Sequence, residues 1–310
     1  MPLDPQMKTI LDQMAAAKAT AFYQSTPIAA RAQMARQTAK GEPAAVARVE
    51  NRVIAGPGGD LPVRIYTPLG GAPIGALVYF HGGGWVVGSL DMVDQPCRIL
   101  ANASRCVTVS VDYRLAPEHK FPAAPEDCYA AVKWTVANAT ALGCAPRIAI
   151  AGSSAGGTLA AAAALMARDR GGPRIDYQLL IYPATRRELD TPSQLEFNEG
   201  NYYILSRADM EWFWGHYLAD AADAKNPYAC PARAATLKGL PPAMVMTAEF
   251  DPLRDEGEDY ARRLEADGVP TVLKRYAGVT HGFFGMPSIL EKSRLAIADA
   301  GAAIRTAFAG

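Results

Sequence analysis

The chain predicts an α/β fold: an eight-stranded, mostly parallel sheet with helices on both faces and a helical cap. Three observations carry this. Past residue 48, short β-rich runs alternate with longer helical stretches. Most of those runs are continuously apolar, as strands buried on both faces require. Half of the 310 residues are hydrophobic, enough for a substantial core.

The first two expected strands, 49–54 and 63–67, flank Gly56-Pro57-Gly58-Gly59-Asp60, a turn cluster suited to an antiparallel hairpin. Runs at 76–80, 107–112, 148–151, 178–182, 243–248 and 271–276 complete the sheet. Two segments break the alternation and are expected to form a cap. In residues 1–47, Asp4 reads as an N-cap with Pro5 at the first helical position, and Met7, Ile10, Leu11 and Met14 share one helical face. In residues 184–225, Ser206 and Asp209 fit a capping box, and Met210, Phe213, Trp214 and Tyr217 recur at helical spacing. Such a stripe serves as core, as a pocket wall, or as both where a helix overhangs a cleft. The expected organisation is therefore a cap of 1–47 and 184–225 on a core of 48–183 and 226–310.

Composition narrows the partner. Lys plus Arg equals Asp plus Glu at 31 each, with no long run of either sign, which argues against nucleic acid and against an anionic membrane surface. A small-molecule substrate is expected. The opening Met1-Pro2-Leu3-Asp4-Pro5 has none of the basic and apolar character of an export signal, and the alanine-rich run 158–167 is too short to span a bilayer. This predicts a soluble cytoplasmic protein. Cys97, Cys106, Cys128, Cys144 and Cys230 are scattered without a Cys-x-x-Cys pair, and the four histidines show no His-x-x-x-His spacing. The cysteines read as small buried hydrophobes in a reducing compartment; no metal and no cofactor is expected.

The chemistry is concentrated in Gly152-Ser153-Ser154-Ala155-Gly156, which lies between the apolar run ending at Ala151 and the helical stretch beginning at Gly157. A strand, a tight turn and a helix with one serine at the apex make Ser154 the candidate nucleophile. Glycines two positions to either side fit a strained turn where neighbouring chain approaches too closely for a Cβ. Acyl transfer also needs a base, an acid to orient it, and donors for the oxyanion. In a doubly wound sheet these collect beyond the carboxyl ends of the strands. Asp251, following the run 243–250, is the expected acid, with Glu249 and Asp255 as rivals because strand ends read from sequence are uncertain by a few residues. His281, in the glycine-flanked segment 278–283 after the last strand, is the expected base. The order serine, acid, histidine differs from both common protease orders.

His81-Gly82-Gly83-Gly84-Trp85 follows the strand 76–80. Three consecutive glycines cost backbone entropy that an ordinary turn does not require, whereas a loop presenting bare N–H groups to an oxyanion does. Gly83, Gly84 and Ala155 are the expected donors, and His81 is expected to anchor the loop.

These residues together resemble the hormone-sensitive-lipase-like branch of the α/β-hydrolases, the bacterial family IV carboxylesterases. The likeness extends to Asp112-Tyr113-Arg114-Leu115-Ala116-Pro117-Glu118, Phe121-Pro122-Ala123-Ala124, Leu180-Ile181-Tyr182-Pro183 and Asp251-Pro252-Leu253-Arg254-Asp255-Glu256. The resemblance implies a serine esterase acting on short- to medium-chain carboxylic esters. It also implies a lid that shapes the substrate pocket, with Trp85, Met210, Phe213 and Trp214 as candidate walls, and allows a homodimer joined through the edge strand near Thr271 and Tyr276. One departure stands out: the family usually has an acid immediately before the nucleophile, and here that residue is Ser153. Amidase and lipase variants of the same chemistry differ in pocket depth, which sequence does not report. A non-catalytic receptor on this scaffold is the competing reading, though such receptors often lack a relay residue and all three are present here.

Overall fold

Among the described residues, eight strands, all in one sheet, arise from the eight β-rich runs: β1 (Arg48–Gly56), β2 (Gly59–Thr67), β3 (Ala76–Phe80), β4 (Val107–Val111), β5 (Ile148–Ser153), β6 (Tyr177–Ile181), β7 (Ala243–Phe250) and β8 (Thr271–Thr280). The computed structural model describes residues 2–18, 20–37, 42–198 and 204–309. The strand order is β1-β2-β4-β3-β5-β6-β7-β8. β1 and β2 form the expected hairpin, closed by a Gly56–Gly59 pair around Pro57 and Gly58, and β2 lies antiparallel to β4. Every other pairing is parallel.

Most strand ends lie within two residues of expectation, and three of those that differ show what moves them. β2 begins at Gly59 because the hairpin is tight enough to pair Asp60 with Ala55. β6 stops at Ile181, since Tyr182 turns to φ 36° and leaves the extended region. β8 continues to Thr280, still paired with Phe250 beyond a bulge in β7, so the segment expected as a loop from residue 278 is strand up to the residue before His281.

The helices are α1 (Pro5–Ala16), α2 (Pro27–Gln37), α3 (Asp94–Ser104), α4 (Ala123–Ala137), α5 (Ala155–Asp169), α6 (Pro192–Glu196), α7 (Arg207–Tyr217), α8 (Arg254–Ala266) and α9 (Glu291–Ala309). Side chains alternate across each strand, so one sheet feeds two cores. Val78 and Phe80 of β3 pack with α4, α5 and α8, while Leu77 and Tyr79 face the layer of α3 and α9. The helix layers lie close to their neighbours: a Cβ on Gly301 of α9 would come within 2.5 Å of the Ala103 backbone in α3.

Asp4 caps α1 by accepting from the Gln6 and Met7 N–H groups at 2.9 and 3.4 Å, and Met7 and Leu11 are buried beneath it. The Ser206–Asp209 capping box of α7 forms as expected. Asp209 also accepts from Tyr23 N at 3.1 Å, and the Phe22 ring meets Phe213 at 4.9 Å, so the amino-terminal segment and α7 pack together. Arg31 of α2 is fastened to the core, donating to the carbonyls of Val86 and Ala116 at 2.8 Å each and to both carboxylate oxygens of Glu118. The expected domain bounds include residues 1, 19, 38–41, 199–203 and 310, which lie outside the described residues. Among the described residues no helix is long and apolar enough to cross a membrane, and the five cysteines are unpaired.

Candidate active site

Ser154 sits between β5 and α5 with φ 57° and ψ −123°, a conformation costly for a residue with a Cβ and one that lifts its side chain clear of the turn. The flanking glycines are required. A Cβ on Gly152 would lie 2.0 Å from the Gly156 carbonyl oxygen, and one on Gly156 would lie 2.0 Å from that of Phe80. The Ser154 N–H donates to Ile181 O at 2.8 Å, tying the elbow to β6.

β7 and β8 deliver the other two groups. Asp251, fully buried, accepts from Leu253 N at 2.8 Å through Oδ1, and its Oδ2 is 2.7 Å from His281 Nδ1. His281 Nε2 lies 2.9 Å from Ser154 Oγ. An ionised carboxylate only accepts, so Nδ1 carries the ring proton and Nε2 is left to accept from the serine hydroxyl. The rivals are occupied elsewhere: Glu249 accepts from Gly278 N, and Asp255 accepts from Ser193 N and Arg254.

The glycine loop reaches the same place. A Cβ on Gly82 would stand 2.9 Å from Ser153 O and 3.3 Å from Ser154 Cβ. Gly83 (φ 120°) and Gly84 (φ 56°) occupy backbone regions that favour glycine. Gly83 O accepts from both Val86 N and Val87 N, folding the loop back on itself. Among the described residues, no protein acceptor takes the N–H of Gly83, Gly84 or Ala155, the three expected donors. His81 anchors the loop as anticipated: its Nδ1 donates to Gly82 O at 2.7 Å and its ring stacks on Tyr113 at 4.2 Å. Burial drives its pKa down to about 4, so it stays neutral. The Asp112–Glu118 stretch supports the loop from below, with Tyr113 Oη donating to His81 O at 2.8 Å and Arg114 paired bidentately with Asp127. A Gly83→Ala chain would put a methyl group 2.1 Å from Val87 O. It is expected to lose kcat by about 10²-fold or more with a smaller change in KM, measured on a p-nitrophenyl ester.

All four candidate wall residues are buried. Phe213 is the one against the loop, its Cδ1 2.1 Å from where a Gly84 Cβ would stand. Trp85 stacks on Tyr217 at 4.3 Å and tilts against Trp214 at 4.4 Å, and with Met210 these side chains join the packed core. Cleft size does not locate the site: a wide cavity of about 1380 Å³ opens at the opposite end of the strands, lined by Arg147, Pro173, Asp176, Pro241 and Pro270.

Two residues of the site were given no role in the sequence reading. Tyr182 keeps its strained φ while its ring lies 4.6 Å from that of His281. Its hydroxyl, pushed well above its ordinary range by burial, is within polar reach of Ser153, which also accepts from Tyr79 Oη at 3.3 Å. Ser153 thus stands among neutral hydroxyls. Glu256 is the second. Burial pushes its carboxyl up to about 8, against the pull of the Thr185 and Arg186 N–H groups and the Arg186 charge, with the Asp251 charge adding to the rise. From 4.5 to about 8 the native protein holds a proton that the unfolded chain releases, so stabilisation from this group is full below that window and lost above it. Melting temperature is expected to fall by about 5 °C across the window, and a Glu256→Gln chain to lose that component of the slope. The only signal for either residue in the sequence was its place inside a motif.

Known proteins agree with this geometry. A family model described as an alpha/beta hydrolase fold matches residues 77–285. The carboxylic ester hydrolase LipN of Mycobacterium tuberculosis is 44% identical over 75% of this chain and 63% of its own length. An arylesterase of Saccharolobus solfataricus is 39% identical over 93% of this chain and 94% of its own. A solved hyperthermophilic esterase from the archaeon Pyrobaculum calidifontis superposes with a TM-score of 0.92 at 46% identity, covering 99% of both chains. With nucleophile elbow, glycine loop and sheet order all in place, the chain belongs to the hormone-sensitive-lipase-like carboxylesterases of the α/β-hydrolase fold.

Proposed function

We propose that this protein hydrolyses short- to medium-chain carboxylic esters through an acyl-enzyme on Ser154. The observation that carries the reading is the unbroken path from Ser154 Oγ to His281 Nε2 at 2.9 Å and from His281 Nδ1 to Asp251 Oδ2 at 2.7 Å. His281 takes the serine proton as Oγ attacks the ester carbonyl, and the N–H groups of Gly83, Gly84 and Ala155 receive the oxyanion. The imidazolium then protonates the departing alcohol, and the neutral ring activates water to release the acid. Asp251 stays ionised and stabilises the imidazolium.

The described parts of 1–47 and 184–225 act as the cap over this centre, with Phe213 as the wall against Gly84. Five unpaired cysteines favour a reducing cytoplasmic setting. The half-exposed Val272 on the edge strand β8 favours a homodimer, which size-exclusion chromatography tests. A panel of p-nitrophenyl esters from acetate to palmitate, with aryl acetates and one anilide, tests the substrate class. The expected optimum lies at short to medium acyl chains; absence of turnover on every ester would overturn the proposal.

A further inference from the structure

The loop that carries Asp251 is stitched to the strand-to-cap connection by a set of polar groups, most of them fully buried. Ser193 N donates to Asp255 Oδ2 at 2.7 Å, Ser193 Oγ donates to Pro252 O at 2.9 Å, and Asp255 N donates to Ser193 Oγ at 3.2 Å. Beside them, Glu256 Oε1 accepts from Thr185 N at 2.6 Å and Oε2 accepts from Gln194 Nε2 at 2.5 Å. Thr185 Oγ1 adds a bond to Glu256 O at 3.2 Å. Thr185, Ser193, Gln194 and Glu256 are all at most 1% exposed. Side chains held this far from water lose their hydration, so each bond is costly to leave unmade.

Gln194 is locked in one orientation. Its Oε1 accepts from Thr191 N at 3.0 Å, the reciprocal half of the capping box that starts α6, so flipping the amide to suit a different partner at Nε2 breaks the cap. The group at position 256 must therefore present a lone pair to Gln194. A carboxyl oxygen does so whether or not the acid is protonated; an amide nitrogen does not. The requirement is for this acid, not for polarity or volume alone.

The stitches close on the four residues that follow Asp251. Pro252 O and Asp255 N are held by Ser193, while Leu253 N and Arg254 N turn back onto Asp251 itself, at Oδ1 and at the carbonyl. We propose that Glu256, acting with Gln194 and Ser193, is a positioning clasp through which the chain entering the cap fixes Asp251 against His281. This rests on reading Asp251 as the orienting acid. Without the clasp, the turn that points Oδ2 at Nδ1 keeps its local bonds and the outer contacts of Arg254 with Glu196 and Phe197 but loses its buried tie to α6, and a small displacement at that position weakens the transition state more than substrate binding.

The test uses the full chain and a p-nitrophenyl ester, with circular dichroism and thermal melting alongside. Glu256→Gln sets two amide donors against each other and is expected to lower kcat about tenfold or more while KM changes less than about threefold. The paired variant Gln194→Glu with Glu256→Gln reverses donor and acceptor and remakes every bond: the new carboxylate accepts from Thr191 N and from the amide at 256, whose oxygen keeps Thr185 N. It is expected to recover kcat to within about threefold of wild type. Unchanged kcat in Glu256→Gln, or a paired variant no more active than that single one, overturns the proposal. Should Glu256→Gln fail to fold, Ser193→Ala removes the two bonds to the Asp251 loop without burying a new donor. Its kcat is expected to drop about threefold or more, and an unchanged kcat is again contrary. Asp251→Asn measured in parallel separates this outcome from a failure of the triad itself, since a chain indifferent to that change does not use Asp251 at all.

Discussion

A Ser154→Ala chain is expected to lose about 10⁶-fold in kcat on p-nitrophenyl acetate while melting within about 2 °C of wild type. The activity loss follows because in the proposed reaction Oγ is the atom that bonds the acyl group, and no neighbouring hydroxyl can replace it: Ser153 is turned into the Tyr79 and Tyr182 cluster. Stability is preserved because alanine and serine bear the same strain at φ 57°, and among the described residues Ser154 Oγ bonds the histidine ring and not the elbow backbone. Stoichiometric labelling by a fluorophosphonate, read by mass spectrometry, disappears in the same variant. Retained turnover would remove Ser154 from the reaction and with it the acyl-enzyme.

Asp251→Asn is expected to cost about 10⁴-fold in kcat with little change in KM. The substituted side chain keeps an oxygen for Leu253 N, which leaves its NH₂ facing His281 Nδ1 at the 2.7 Å contact. Two donors cannot meet there, so the ring must carry its proton on Nε2 instead. That nitrogen then donates to Ser154 Oγ and cannot receive its proton. Single-turnover acylation kinetics isolate the step, and a normal acylation rate would show that the carboxylate does not set the tautomer.

Most of the sheet was legible because burial on two faces leaves a plain mark: continuous apolar runs such as 76–80 and 243–248 became strands at or near the expected bounds. Strand ends were less legible where pairing, not composition, decides them. β8 reaches Thr280 because it follows β7 across a bulge, and no local preference at Gly278 announces that. The three groups of the candidate site were readable since each sits at a strand end beside glycines or proline. Asp251 was the expected acid, but sequence alone could not exclude Glu249 and Asp255, because that depends on which carboxylate the bulge and turn aim at His281. Tyr182 was hidden for a related reason. Its left-handed backbone is imposed by the elbow and by its N–H to Met246 O at 2.6 Å, and a tyrosine carries no trace of that in its identity.

Arg31 joins two parts of the chain that a boundary drawn at β1 would separate. Its guanidinium holds the carbonyl of Val86, and Val86 N in turn holds Gly83 O, so α2 buttresses the oxyanion loop from outside the sheet. A fragment trimmed to begin at Arg48 would retain every strand and every reacting side chain, yet its glycines would have lost an external brace. For anyone designing fusions or shortened versions of this enzyme, α2 belongs with the sheet, because the loop of Gly83 leans on it through Arg31 and Val86.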